Sequence, residues 1–108
     1  MINDKALSAL GMAMRAGKLA TGDEIVLKAI RAGKAQLVII AGDASQNTKK
    51  KFQDKCNSYG VSLVEAYDRL SLGRAIGKAE RVVIAVVDVQ FAKLIAGHFS
   101  QNMEVDLT

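Results

Sequence analysis

The sequence has no proline, one cysteine and one histidine among 108 residues, and these scarcities close off several kinds of chemistry. A lone cysteine, Cys56, cannot form an internal disulfide or a thiolate cluster, and His98 has no histidine or cysteine partner with which to complete a zinc site. No metal and no cofactor are expected. The longest unbroken apolar runs, Leu37 to Ala41 and Val82 to Val87, fall far short of the ~20 residues that cross a bilayer. Asp4 also interrupts the N-terminus where a signal peptide would need an apolar stretch, so the expectation is a cytoplasmic protein with no membrane partner. The lack of proline fits a chain made almost wholly of regular elements, and repeats, linkers and low-complexity tracts are missing as well.

Nucleotide-binding loops are absent too. Gly11 to Gly17-Lys18 approaches a Walker A motif, but five residues separate the glycines instead of four, and Leu19 replaces the hydroxyl that would hold magnesium. No GxGxxG follows any strand. Cys56 sits on an apolar helical stripe and reads as core, and His98 shares a stripe with Phe91 and Ile95 and reads as a packing residue. With no convergent nucleophile, base or metal, an enzyme and a small-molecule substrate are not expected.

What is present is the balance of a globular protein, 50% hydrophobic and 24% charged, in a chain long enough for one core and too short for two. Residues 1–108 read as a single domain. The net charge of +4 is unevenly placed: residues 1–55 hold ten basic and five acidic residues, whereas residues 56–108 hold five and six. A basic half is compatible with a polyanionic partner.

Apolar periodicity predicts a helix from Asn3 to Ala16, capped by Asn3 or Asp4, carrying Leu7, Leu10 and Met14 inward and ending at Gly17. After an extended stretch at Leu19 and Ala20, Thr21 offers a capping hydroxyl to a second helix that Gly33 closes. Gln36 to Ala41 reads as a buried strand. Ser45 or Asn47 would cap a third helix through Tyr59, with Phe52, Cys56 and Tyr59 inward, and Val61 to Ala66 forms the next strand. Asp68 caps a short helix stopping at Gly77, Val82 to Val87 is a strand, and Asp88 caps a last helix running to about Asn102. This alternation predicts an α/β sandwich with a largely parallel sheet covered on both faces.

One surface stands out. On the second helix Val26, Leu27, Ala29 and Ile30 share one side, Glu24, Lys28 and Arg31 share the other, and Ile25 lies at the margin. A helix N-terminus with free backbone N–H groups, a glycine at Gly22 and a lysine one turn on can meet a phosphate. The same residues also fit a solvated face on which Glu24 and Lys28 form an i,i+4 pair.

Several strings resemble the ribosomal L-seven-Ae/L-thirty-e family of kink-turn RNA-binding proteins, small bacterial members above all. They are Ala16-Gly17-Lys18-Leu19 with Thr21-Gly22, Lys28 to Ala35, Leu37 to Ala41 with Asp43-Ala44, and Leu72-Gly73-Arg74-Ala75-Ile76-Gly77, a similarity running from Leu7 to Phe91. The resemblance implies a three-layer α/β/α sandwich around a four-stranded mixed sheet. It also implies a partner: structured RNA in which a bulge beside sheared G·A pairs kinks a duplex, within ribosomal RNA or a riboswitch. The family pattern Gly-x-Asn-Glu-x-x-Lys falls on Gly22 to Lys28, where Gly22 and Lys28 match, Glu24 stands at the Asn position and Ile25 at the Glu position. Glu24 can accept a guanine N–H but donate nothing. The family's second contact loop falls on Lys78, Ala79, Glu80 and Arg81, more charged than the small apolar residues usual there. The implied RNA site is thus Thr21, Gly22, Asp23, Glu24, Ile25, Lys28, Arg31, Lys78, Ala79, Glu80 and Arg81. The two substitutions equally suit a protein-interaction module that keeps the fold and has lost the RNA. A phosphoacceptor receiver centred on Asp43 fails for want of the acid pair and the later lysine.

Overall fold

The computed structural model describes residues 5–107. Five helices and four strands follow in the order α1 (Lys5–Arg15), β1 (Leu19–Thr21), α2 (Asp23–Arg31), β2 (Leu37–Ile40), α3 (Gln46–Tyr59), β3 (Ser62–Glu65), α4 (Arg69–Ala75), β4 (Val83–Val86) and α5 (Val89–Leu107). The caps proposed at Asn3 or Asp4 lie outside the described residues. Ser45, Asp68 and Asp88 accept backbone N–H bonds from Thr48 (3.2 Å), Ser71 (2.7 Å) and Phe91 (2.9 Å), as N-caps do. The last helix passes Asn102 because neither glycine nor proline follows to stop it.

The strands form one sheet in the order β1-β4-β2-β3. Only β2 and β3 run parallel; β4 is antiparallel to both β1 and β2, which corrects the expectation of a largely parallel sheet and agrees with the mixed sheet the resemblance implied. The reason lies in helix length. At 1.5 Å per residue the 14-residue α3 carries the chain the length of the sheet and back to β3, whereas α4 has 7 residues. Its return link stays at the end where α4 began, with Arg81 N–H bonded to the Arg69 carbonyl at 3.0 Å, so β4 must enter from that end.

Alternation along the central strands divides the core into two layers. Val38, Ile40, Val83 and Ala85 face α2 and α3, packing with Val26, Leu27, Ile30, Phe52 and Cys56. Leu37, Ile39, Ile84 and Val86 face α1, α4 and α5, packing with Leu10, Leu72, Ile76 and Ile95, while Leu7 and Met14 are half-buried at the margin. The result is the three-layer α/β/α sandwich. Tyr59, expected inside, is 48% exposed. It is the last helical residue before Gly60, whose φ of 67° turns the chain; Val61 then donates to the Cys56 carbonyl and, half-buried, packs against the core in its place.

Candidate nucleic-acid interface

The β1–α2 junction owes its shape to Gly22, whose φ of 98° and ψ of 142° suit glycine alone. Its carbonyl accepts the first helical bond, from Val26 N–H at 2.9 Å. No side chain caps the helix, so the N–H groups of Asp23, Glu24 and Ile25 are left without a capping partner at the positive end of the helix dipole. The expectation that Thr21 caps α2 is therefore corrected. Its hydroxyl is engaged elsewhere, accepting from Arg81 Nε at 3.3 Å.

That bond joins the two segments implicated in the sequence. Arg81 also donates from Nη1 to the Glu80 carbonyl at 2.6 Å and from its backbone to Arg69, which ties the 78–81 link to the start of α4 and to the end of β1. The link lies directly on Gly73, where a Cβ would stand 2.5 Å from Glu80 Cα and 2.9 Å from the Ala79 carbonyl carbon. Arg69 is itself held by Asp43: Nη2 donates to the Asp43 carbonyl at 2.7 Å and Nε pairs with its carboxylate at 3.3 Å. The ends of β1, β2 and β3 and the beginning of β4 thus gather at one edge of the molecule.

Around this edge Gly22, Glu24, Ile25, Lys28, Lys78, Ala79 and Glu80 are exposed, and Thr21, Asp23 and Arg81 are half-buried; Arg31, also exposed, is the last residue of α2 and stands at the far end of that helix. Asp23 does not face the opening as a free charge, since Lys51 of α3 pairs with it at 3.2 Å. Among the described residues no ion pair joins Glu24 to Lys28, and neither Lys28 nor Arg31 has an acidic partner. The alternative that these residues satisfy one another on a solvated face has no bond behind it. Ile25, at 58% exposure, is the most exposed large apolar side chain among the described residues.

Gly73, Arg69 and Lys51 were not singled out by sequence reasoning. A glycine inside a seven-residue helix was the available signal, because it weakens the helix unless another backbone must come close. The pairing partners of Arg69 and Lys51 are 26 and 28 residues away and leave no local pattern.

A chain with this sheet order and these helices matches known proteins. The sequence profile of the ribosomal protein L7Ae/L30e/S12e/Gadd45 family covers residues 4–96. The chain belongs to that family. It is 51% identical over 88 residues to a protein of Bacillus subtilis (strain 168) called RNA-binding protein YlxQ, an alignment spanning 81% of this chain and 88% of that one. The large ribosomal subunit protein eL30B of Schizosaccharomyces pombe is 32% identical over 99 residues, 86% of this chain and 81% of its own. A solved structure from Bacillus halodurans, of a protein described as having unknown function, superposes with a TM-score of 0.86 at 49% identity, covering 88% of this chain and 96% of that chain.

Within this family member, groups that could hold a metal are absent among the described residues. Cys56 lies in the core between sheet and α3, where burial pushes its thiol up to about 11 and keeps it un-ionised. No helix among the described residues is long and apolar enough to cross a membrane.

Proposed function

We propose that this chain binds structured RNA of the kink-turn type through the α2 N-terminus and the 78–81 link acting as one surface, without catalysis, cofactor or small-molecule substrate. The observation that carries the reading is the Arg81–Thr21 hydrogen bond, which holds the two segments side by side. The uncapped N–H groups of Asp23, Glu24 and Ile25 supply donors for the RNA backbone, and Lys28 and Arg31 supply charge one and two turns behind them. Glu24 accepts from a guanine edge, Ile25 packs on a sugar or base face, and Ala79 leaves room for an extruded base. Recognition is then by shape, as for folded RNA generally. The naming of a 51% identical relative as RNA-binding supports the ligand class, and the ribosomal relative supports ribosomal RNA over a riboswitch as its source. A cytoplasmic location accompanies this reading.

The exposed Ile25 is the one observation that favours a protein-docking face instead. Affinity for a kink-turn duplex, measured beside the same duplex with its sheared G·A pairs made Watson–Crick, separates the readings. Tight binding to the first and loss on the second is expected. Equal binding to both would mean generic basic adhesion, and no binding to either would hand the surface to a protein partner.

A further inference from the structure

A second cationic feature lies on the opposite face of the sheet, between α1 and α4. The helices meet where Gly11 faces the Ala75 carbonyl, and a Cβ at Gly11 would stand 2.9 Å from that oxygen, so glycine permits the approach. Beside the contact runs an open groove of about 640 Å³, lined by Leu7, Ser8, Met12, Arg15, Ser71 and Arg74 among others. Arg15 folds back over the contact, its Nη1 3.7 Å from where a Gly11 Cβ would be. Among the described residues no carboxylate lines the groove. Asp68, the α4 cap, accepts from Ser71 N–H at 2.7 Å and is also within reach of the Arg74 charge, without an ion-pair contact to it. Among the described residues neither Arg15 nor Arg74 forms an ion pair.

The polar equipment of the groove among the described residues is two guanidiniums, which suit phosphate oxygens, and the Ser8 hydroxyl; the Ser71 hydroxyl is engaged with Asp68. A protein helix would need a row of exposed apolar anchors. Among the lining residues only Met12 is an exposed large hydrophobic, at 44%. The groove is also continuous in chain with the first surface, since α4 leads from Arg74 through Gly77 to Lys78, whose N–H bonds the Gly73 carbonyl at 2.8 Å, and on to Arg81.

We propose that the α1–α4 groove takes the sugar-phosphate backbone of the RNA helix flanking the kink, with Arg15 and Arg74 each neutralising one phosphate. The inference rests on the RNA-binding reading and extends its footprint beyond the kink. The test compares a kink-turn RNA with its flanking helix trimmed to the minimum against one with the flank extended by a full turn, using the wild-type chain and the Arg15→Gln/Arg74→Gln double variant. The wild type should bind the long RNA more tightly. In the variant that advantage should vanish and the salt dependence on long RNA should fall by about 1.8 in log–log slope, from two lost phosphate contacts on a duplex, while affinity for trimmed RNA and thermal melting stay unchanged. Equal wild-type affinity for both lengths, or an unchanged slope in the variant, overturns the groove and leaves the kink site standing. Failure to bind either RNA overturns both. If a Glu-rich amphipathic peptide, and not the RNA flank, shifts the Arg15 and Arg74 side-chain NMR signals, the groove is a protein-docking face and the proposal falls.

Discussion

Arg81 and Thr21 lie 60 positions apart, yet the Arg81 guanidinium donates to the Thr21 hydroxyl at 3.3 Å and so fastens the link before β4 to the end of β1. Thr21→Val keeps the side-chain shape and removes the acceptor. RNA affinity should fall several-fold, with stability changing by no more than about 1 kcal/mol, since a single hydrogen bond of this kind is modest in net worth. Affinity by titration and a chemical melt check both; unchanged affinity would show that the tether does not position the link.

Lys28→Ala separates charge from geometry. Lys28 is exposed with no acidic partner among the described residues, so stability should shift by less than about 0.5 kcal/mol. RNA binding should weaken with a salt slope lower by about 0.9, the loss of one phosphate contact. A slope that does not move removes Lys28 from the interface.

Gly22→Ala should behave in the opposite way. A Cβ there meets nothing within 4 Å, so the penalty comes from a backbone at φ 98° and should be about 1–3 kcal/mol in urea unfolding. Loss of RNA binding in this variant would follow from a reshaped junction. An unaltered melt would mean that the junction is not held in this conformation.

How far these features could be read from the sequence depends on how local their chemistry is. The caps at Ser45, Asp68 and Asp88 were legible because a short polar side chain bonds a backbone N–H three residues on. Thr21 carries the same local signal but does not cap α2, because its hydroxyl is claimed by Arg81 from the distant link before β4. Strand direction was illegible for a related reason: apolar runs at β2 and β4 look alike whichever way they point, and only the shortness of α4 tells that β4 returns antiparallel. The site residues came from the resemblance and the α2 pattern together, whereas Gly73 and Arg69 needed coordinates, since what they touch is backbone from other elements.

Gly73→Ala tests the support beneath the link. The new methyl would press on the backbone of Ala79 and Glu80, which cannot rotate away as a side chain would, so the cost should be about 1–3 kcal/mol together with weakened RNA binding. Wild-type affinity in this variant would mean that the link tolerates displacement.

Acid should loosen α4. Asp68 has a carboxyl held below its ordinary value of 3.8, first by the Ser71 backbone N–H, then by the Ser71 hydroxyl. Its stabilising contribution is therefore fully present above the unfolded value and is lost as pH falls through the lower folded one. Asp68→Asn keeps a capping oxygen without the titration. Its thermal melting should be flatter than wild type below about pH 4; identical curves would dissociate the cap from the acid response.

The sheet has two unlike ends. One collects Gly22, Asp43, Arg69 and Arg81, whereas at the other the chain leaves α1, α2 and α3 through Gly17, Gly33 and Gly60, each at positive φ with open space where a Cβ would be. Short exposed turns of this kind tolerate insertion. A fluorophore, affinity handle or fused domain grafted beside Gly60 would sit across the β3 strand from the proposed interface, leaving that interface free to report on what it binds.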